Sequence, residues 1–155
     1  MRPIIGIIGV NEDMCTKEIY NFGLELGNSI LEEGFRIVTG GKGGIMEAVG
    51  RGGMNSHAYF EGSIIGVIPE DDKSKANGFC DIIIPTGLGI SRNILIINTA
   101  DILIAIGGGA GTLSEISFAW QKNKKVLCVT KFEGWSKELA GKNIDNRYKN
   151  LLISV

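Results

Sequence analysis

The chain has 155 residues, 44% hydrophobic and 21% charged, a length and balance that suit one soluble domain with a full core, taken here as residues 1–155. Its 16 basic and 17 acidic residues leave a net charge of -1, which argues against a whole-chain basic field for nucleic acid. Three scattered cysteines and a single histidine, His57, provide neither a disulfide framework nor zinc-type spacing, and glycine at 23 residues is about twice ordinary usage without the period of collagen.

The first apolar run, "IIGIIGV" (4–10), is continuous, as in a strand buried on both faces of a parallel sheet. It is about one strand long and runs at once into acidic and polar residues, so it predicts neither a membrane span nor an export signal; the chain is expected to be cytoplasmic. In the next segment Ile19, Phe22, Leu26 and Ile30 recur at spacings of three and four, one face of a helix, with Gly34 placed to stop it in a left-handed conformation. Strands follow at 35–41 and 63–69 around a short helix over 44–53. After the polar loop "EDDKSKANG" come a short strand at 81–85 and a helix over 91–100 with Ser91 as N-cap. A very apolar strand (101–107), a helix (112–123) and another buried strand (125–130) complete the regular pattern. The remaining tail shows helical fragments and a candidate last strand.

Alternating β and α with apolar strands predicts a Rossmann-like, doubly wound and mainly parallel sheet with helices on both faces. In such sheets ligands sit beyond the carboxyl ends of the strands. Three glycine-bearing turns fall there: "GVNED" beginning at Gly9, "GGKGG" with Gly40, Gly41, Gly43 and Gly44, and "GGGAG" with Gly107, Gly108, Gly109 and Gly111. They are expected to converge on one crevice and to bind a ligand there.

"GGGAGT" joins a strand to a helix whose first amides are unsatisfied and whose dipole is positive, and glycine lets an anion approach them closely. A phosphate is the natural guest. The segment lacks the Gly-Lys-Ser/Thr of a P-loop, and Thr112 stands where a dinucleotide fingerprint has its third glycine. The competing reading is a tight corner followed by a capping box from Thr112 to Glu115. Arg92, a cation at a helix start, is either there for an anion or is a surface arginine. Lys42 either adds charge to the ligand or is solvated. Trp120 and Phe118 follow the helix register and read as core.

The segments "VTGGKGGIMEAVGRGG", "GISRNILIINTADILIAIGGGAGTLSEISFAWQKNKKV" and "GWSKELAGK" resemble one family over nearly the whole chain. It contains the LOG-type phosphoribohydrolases, the molybdenum-cofactor carrier proteins and many proteins labelled "possible lysine decarboxylase"; the carrier-like branch is the nearer. The resemblance implies a site for a nucleotide or a pterin phosphate. In the hydrolases the glycine loop holds the 5′-phosphate, and a glutamate and an upstream arginine serve the ribose and the scissile bond. By motif these are Gly108, Gly109, Gly111, Thr112, Glu115 and Arg92, with Arg92 and Glu115 catalytic only if the chain is a hydrolase. Gly107 stands where the hydrolases carry proline, and Asn93 where they usually carry lysine, which favours binding over hydrolysis. Three functions therefore compete: a carrier of a molybdopterin-type cofactor, a nucleoside 5′-monophosphate phosphoribohydrolase, and, least supported, a nucleic-acid-binding protein. No metal site and no required cofactor are expected, and nothing reads as a pyridoxal-phosphate lysine. Homo-oligomerisation, as a dimer or tetramer, is expected from relatives and from the apolar surplus at Ile90, Ile94, Leu95, Ile97, Ile116, Phe118 and Trp120.

Overall fold

The computed structural model describes residues 2–155. Seven strands form one sheet: β1 (Ile4–Gly9), β2 (Arg36–Thr39), β3 (Ile64–Ile68), β4 (Ile82–Pro85), β5 (Ile102–Ile106), β6 (Val126–Val129) and β7 (Leu152–Ser154). Their spatial order is β4-β3-β2-β1-β5-β6-β7, and every neighbouring pair is parallel. The predicted Rossmann-like architecture is thus present, with β7 supplying the last strand. The order reverses between β1 and β5, so the switch-point crevice opens beyond Gly9 and Ile106.

Five helices connect the strands: α1 (Lys17–Glu32), α2 (Ile45–Met54), α3 (Asn93–Thr99), α4 (Ala110–Gln121) and α5 (Trp135–Leu139). Side-chain alternation along the strands divides the core into two layers. Ile5, Ile7, Ile37, Ile64 and Ile106 pack against Ile19, Ile30 and Leu31 of α1 and Ile45 and Val49 of α2. Ile8, Val38, Leu103, Ala105 and Val126 pack against Ile96 and Ile97 of α3 and Ile116, Ala119 and Trp120 of α4.

Gly34 ends α1 as expected: its φ is 82°, its amide donates to Leu31 O, and Phe35 donates to Ile30 O, the paired bonds of a Schellman turn. Two helix starts differ from expectation. Ser91 caps nothing; it lies inside a 3-10 turn, Gly89–Arg92, and α3 begins at Asn93. α4 begins at Ala110, two residues earlier than predicted, with Gly109 as N-cap and Leu113 N–H donating to Gly109 O at 3.0 Å. Thr112 and Glu115 are therefore too deep in the helix to form a capping box. An extended glycine makes the entry instead.

The apolar surplus expected on α4 is covered by the chain itself. Trp120 is fully buried, its Nε1 donates to Asp145, and its ring meets Tyr148 edge-on. On the other layer α1 and α2 touch backbone to backbone. A Cβ at Gly27 would stand 2.0 Å from Val49 O, and one at Gly52 2.0 Å from Leu24 O. Replacing Gly27 with valine should cost at least about 2 kcal/mol in urea unfolding. Gly78→Ala, where an added Cβ meets nothing within 4 Å, should be close to neutral. Equal stability of the two variants would show that the helices can part without penalty.

Candidate functional site

A cavity of about 870 Å³ opens at the switch point, within the size range of small-molecule sites. Its polar end is built by α4. The chain leaves β5 and turns through Gly107 (φ 56°) and Gly108 (φ 87°), a pair of left-handed residues that glycine adopts without a steric penalty. Gly107 N–H donates to Ser136 Oγ at 2.7 Å, Ser136 N–H donates to Gly107 O, and Trp135 N–H donates to Gly108 O. The corner is thereby fixed to the start of α5. The next amides, of Ala110, Gly111 and Thr112, lie in the first turn of α4, where no intrahelical carbonyl is available to them. No acidic residue occupies that turn, in contrast to Glu18 in α1 and Glu47 in α2. The positive end of the helix dipole is left unneutralised beside the cavity.

Gly109, Gly111 and Thr112 line this cavity, and a Cβ at either glycine would meet nothing within 4 Å. Both glycines thus leave open space where they border the cavity. Gly107 is outside the lining; it serves the corner.

Arg92 reaches the same cavity from the start of α3. Its side chain is about nine-tenths buried. Nη1 donates to Asn93 Oδ1 at 2.5 Å and Nη2 to Gly40 O at 3.3 Å, while Nε is buried and, among the described residues, without a partner. A Cβ at Gly40 would overlap Nη2, so glycine there makes room for the guanidinium. Burial pulls the Arg92 pKa down, opposed by Glu115 and Glu70.

Glu115 completes the group. It is 7% exposed, and its carboxylate lies 3.9 Å from Arg92 Nη1. Burial pushes its pKa up to about 7, with Arg92 pulling the other way. The structure therefore brings together Gly9, Gly40, Arg92, Gly108, Gly109, Gly111, Thr112 and Glu115 around one cavity. Gly41, Gly43 and Gly44 are not in its lining. A Cβ at Gly41 would meet Ile68, one at Gly43 would meet Glu12, and one at Gly44 would meet the Asn11 backbone, so Gly41 packs on β3 and the other two on the β1–α1 link. Lys42 is bound to Glu70 at 2.8 Å and to Lys75 O, and its charge is used there. Glu47 accepts a hydrogen bond from the Tyr20 hydroxyl.

Apart from Asn11, which belongs to the turn beginning at Gly9 that was expected at the crevice, the far wall was not anticipated from sequence. Asn11, Met14 and Thr16 come from the β1–α1 link, Ile19 from α1, Met46 from α2, and Lys131–Gly134 from the β6–α5 link. This wall is largely apolar at Ile19, Met46 and Phe132. At the rim Lys131 pairs with Glu18 at 3.0 Å. The position of 131–134 directly after a strand was the available signal.

Fold and site define a Rossmann-like α/β protein whose switch-point cavity receives a bare helix N-terminus. Within that class the chain belongs to the SLOG cluster4 family, whose model matches residues 2–153. A protein of Archaeoglobus fulgidus is 38% identical over 125 residues, covering 81% of this chain and 78% of that one. The molybdenum cofactor binding protein of Rippkaea orientalis superposes with a TM-score of 0.78 at 34% identity, over 90% of this chain and 82% of that one. The molybdenum cofactor carrier protein of Chlamydomonas reinhardtii superposes with a TM-score of 0.73 at 30% identity, over 83% and 77%.

Proposed function

We propose that the protein binds a phosphate-bearing ligand in the switch-point cavity and acts as a carrier for a molybdopterin-type cofactor. The observation that carries this reading is the first turn of α4. Three amides without intrahelical partners, two glycines open to the cavity and a buried arginine with a free Nε share one space. A terminal phosphate would accept from the amides of Ala110, Gly111 and Thr112 and take charge-assisted bonds from Arg92. The ring system would lie toward Ile19, Met46 and Phe132. The named activities of the Rippkaea and Chlamydomonas proteins support the choice of a pterin over a nucleotide.

The hydrolase reading keeps one observation in its favour, the meeting of Arg92 and Glu115 in the cavity. A carrier is favoured because Asn93 ties the guanidinium to a neutral acceptor, where the hydrolases bring a second cation. The three cysteines are free thiols, in keeping with a reducing cytoplasm.

Small molecules released by denaturing the purified protein should include a pterin phosphate by mass spectrometry. Gly111→Val should fold normally and release none, since its branched Cβ fills the anion's place. A ligand retained undiminished by folded Gly111→Val would reduce the loop to a turn. Liberation of free base from AMP by the wild type would replace the carrier with the hydrolase.

We also propose self-association through the edge of the α3 layer. β4 pairs with β3 so that Ile82 and Ile84 share a face with Ile65 and Val67, and both are more than two-fifths exposed. No α-helix links β3 to β4, and Leu88 and Ile90 add 53% and 88% exposed apolar side chains before α3. Exposed apolar side chains of this kind suit an isologous contact near Arg92. Light scattering at micromolar concentration should give a multiple of the monomer mass, reduced by Ile90→Asp; a monomeric wild type would dismiss the contact.

A further inference from the structure

We propose that Glu115 takes up a proton when an oxyanion enters the cavity and donates it in a hydrogen bond to that anion, so that the site binds anion and proton together. This rests on the reading of the α4 N-terminus as a phosphate site.

The first support is that Glu115 lacks partners. It lines the cavity at 7% exposure, yet among the described residues its carboxylate makes no hydrogen bond. Arg92 Nη1, at 3.9 Å, is too far for one, because Asn93 Oδ1 and Gly40 O hold the guanidinium elsewhere. Helical side chains lean toward the N-terminus, which aims Glu115 toward the turn carrying the free amides.

The second support is the charge inventory. α4 carries no other titratable side chain, and β1, β5 and α3, which pack beside it, carry none. α5 brings Lys137 and Glu138, with Lys137 paired to Glu133. Across the cavity, Glu18 and Lys131 neutralise each other at the rim. Glu70, the other carboxylate acting on Arg92, is tied to Lys42. Among the described residues, Arg92 is thus the one cation lining the cavity without an ion-pair partner within hydrogen-bond distance, and an ionised Glu115 would compete with the guest for it. An anion and an ionised, buried Glu115 repel, and the site relieves this by protonating one of them. The carboxylate is the group already close to that state, since burial raises its pKa to about 7 even against the pull of Arg92. The chain's one histidine, His57, lies outside the cavity.

An incoming anion raises the Glu115 pKa further, so proton uptake accompanies binding. Affinity for an anion of fixed charge should then fall as pH rises through about 7, by about tenfold between pH 6 and pH 8. The same group affects the free protein. Its folded pKa exceeds the unfolded value, so its contribution to stability is fully present below the unfolded pKa. That contribution is lost as pH climbs to about 7.

Sulfate is the probe, because it remains a dianion over this range. Calorimetric titration at pH 8 in buffers of different ionisation enthalpy should show uptake of about one proton per sulfate by the wild type. Glu115→Gln should bind sulfate with no uptake and a flat pH profile. Binding by the wild type without proton uptake, or unchanged uptake in Glu115→Gln, would overturn the inference while leaving the phosphate site intact. Absence of sulfate binding by the folded wild type at every pH would overturn both. Infrared difference spectra of the wild type alone decide the matter if the variant does not fold: sulfate should add a protonated carboxyl band, and a spectrum without it contradicts the proposal.

Discussion

The corner at Gly107 and Gly108 is the constraint on which the site depends. Two consecutive left-handed residues turn the chain off β5 so abruptly that α4 starts at once, at the mouth of the crevice between β1 and β5. Such a corner leaves backbone groups to satisfy, and Ser136 does this by accepting from Gly107 N–H while donating to Val129 O. The result is a loop tied to α5 through Gly107 N–H, Gly107 O and Gly108 O, followed by three first-turn amides of α4 with no intrahelical partner beside the cavity. Removing the corner would move the helix start, and with it the electrostatic character of the whole cavity.

Around that helix start two charged side chains, Arg92 and Glu115, are buried beside the cavity. Arg92 is largely desolvated and its Nε is unbonded, although Asn93 and Gly40 hold its other nitrogens. Glu115 is more buried still and, among the described residues, has no hydrogen bond in return. Each costs folding stability as it stands, since burying a charged group without full partnering is unfavourable. Cores normally avoid such arrangements, and binding sites accept them because a ligand later supplies the missing partners. Ile19, Met46 and Phe132 make the opposite wall largely apolar, with the Lys131–Glu18 pair at its rim.

Much of this was legible from residues in order. Continuous apolar runs without alternation gave the parallel strands, and the spacing of Ile19, Phe22, Leu26 and Ile30 gave α1. The three glycine turns were readable as carboxyl-end loops, and the structure separates them by role: Gly109 and Gly111 border the cavity with open space, whereas Gly41 and Gly44 are needed where their loop touches β3 and the β1–α1 link. That distinction depends on what lies opposite a missing Cβ, which no single sequence displays. Helix starts were the weakest reading. Ser91 and Thr112 are good capping residues by type, but a 3-10 turn and an extended glycine took the positions instead. Ser136 and the stretch from Lys131 to Gly134 were hidden because the C-terminal third has short elements and little periodicity. Its contribution arises from long-range packing onto the glycine corner.

The central claim is that the first turn of α4 is an oxyanion site. Amide NMR shifts during titration with sulfate test it most directly. The account predicts the largest changes at Ala110, Gly111 and Thr112, with the Arg92 side-chain resonances moving in step. Shifts confined to surface lysines, with those three amides unmoved at saturation, would contradict it.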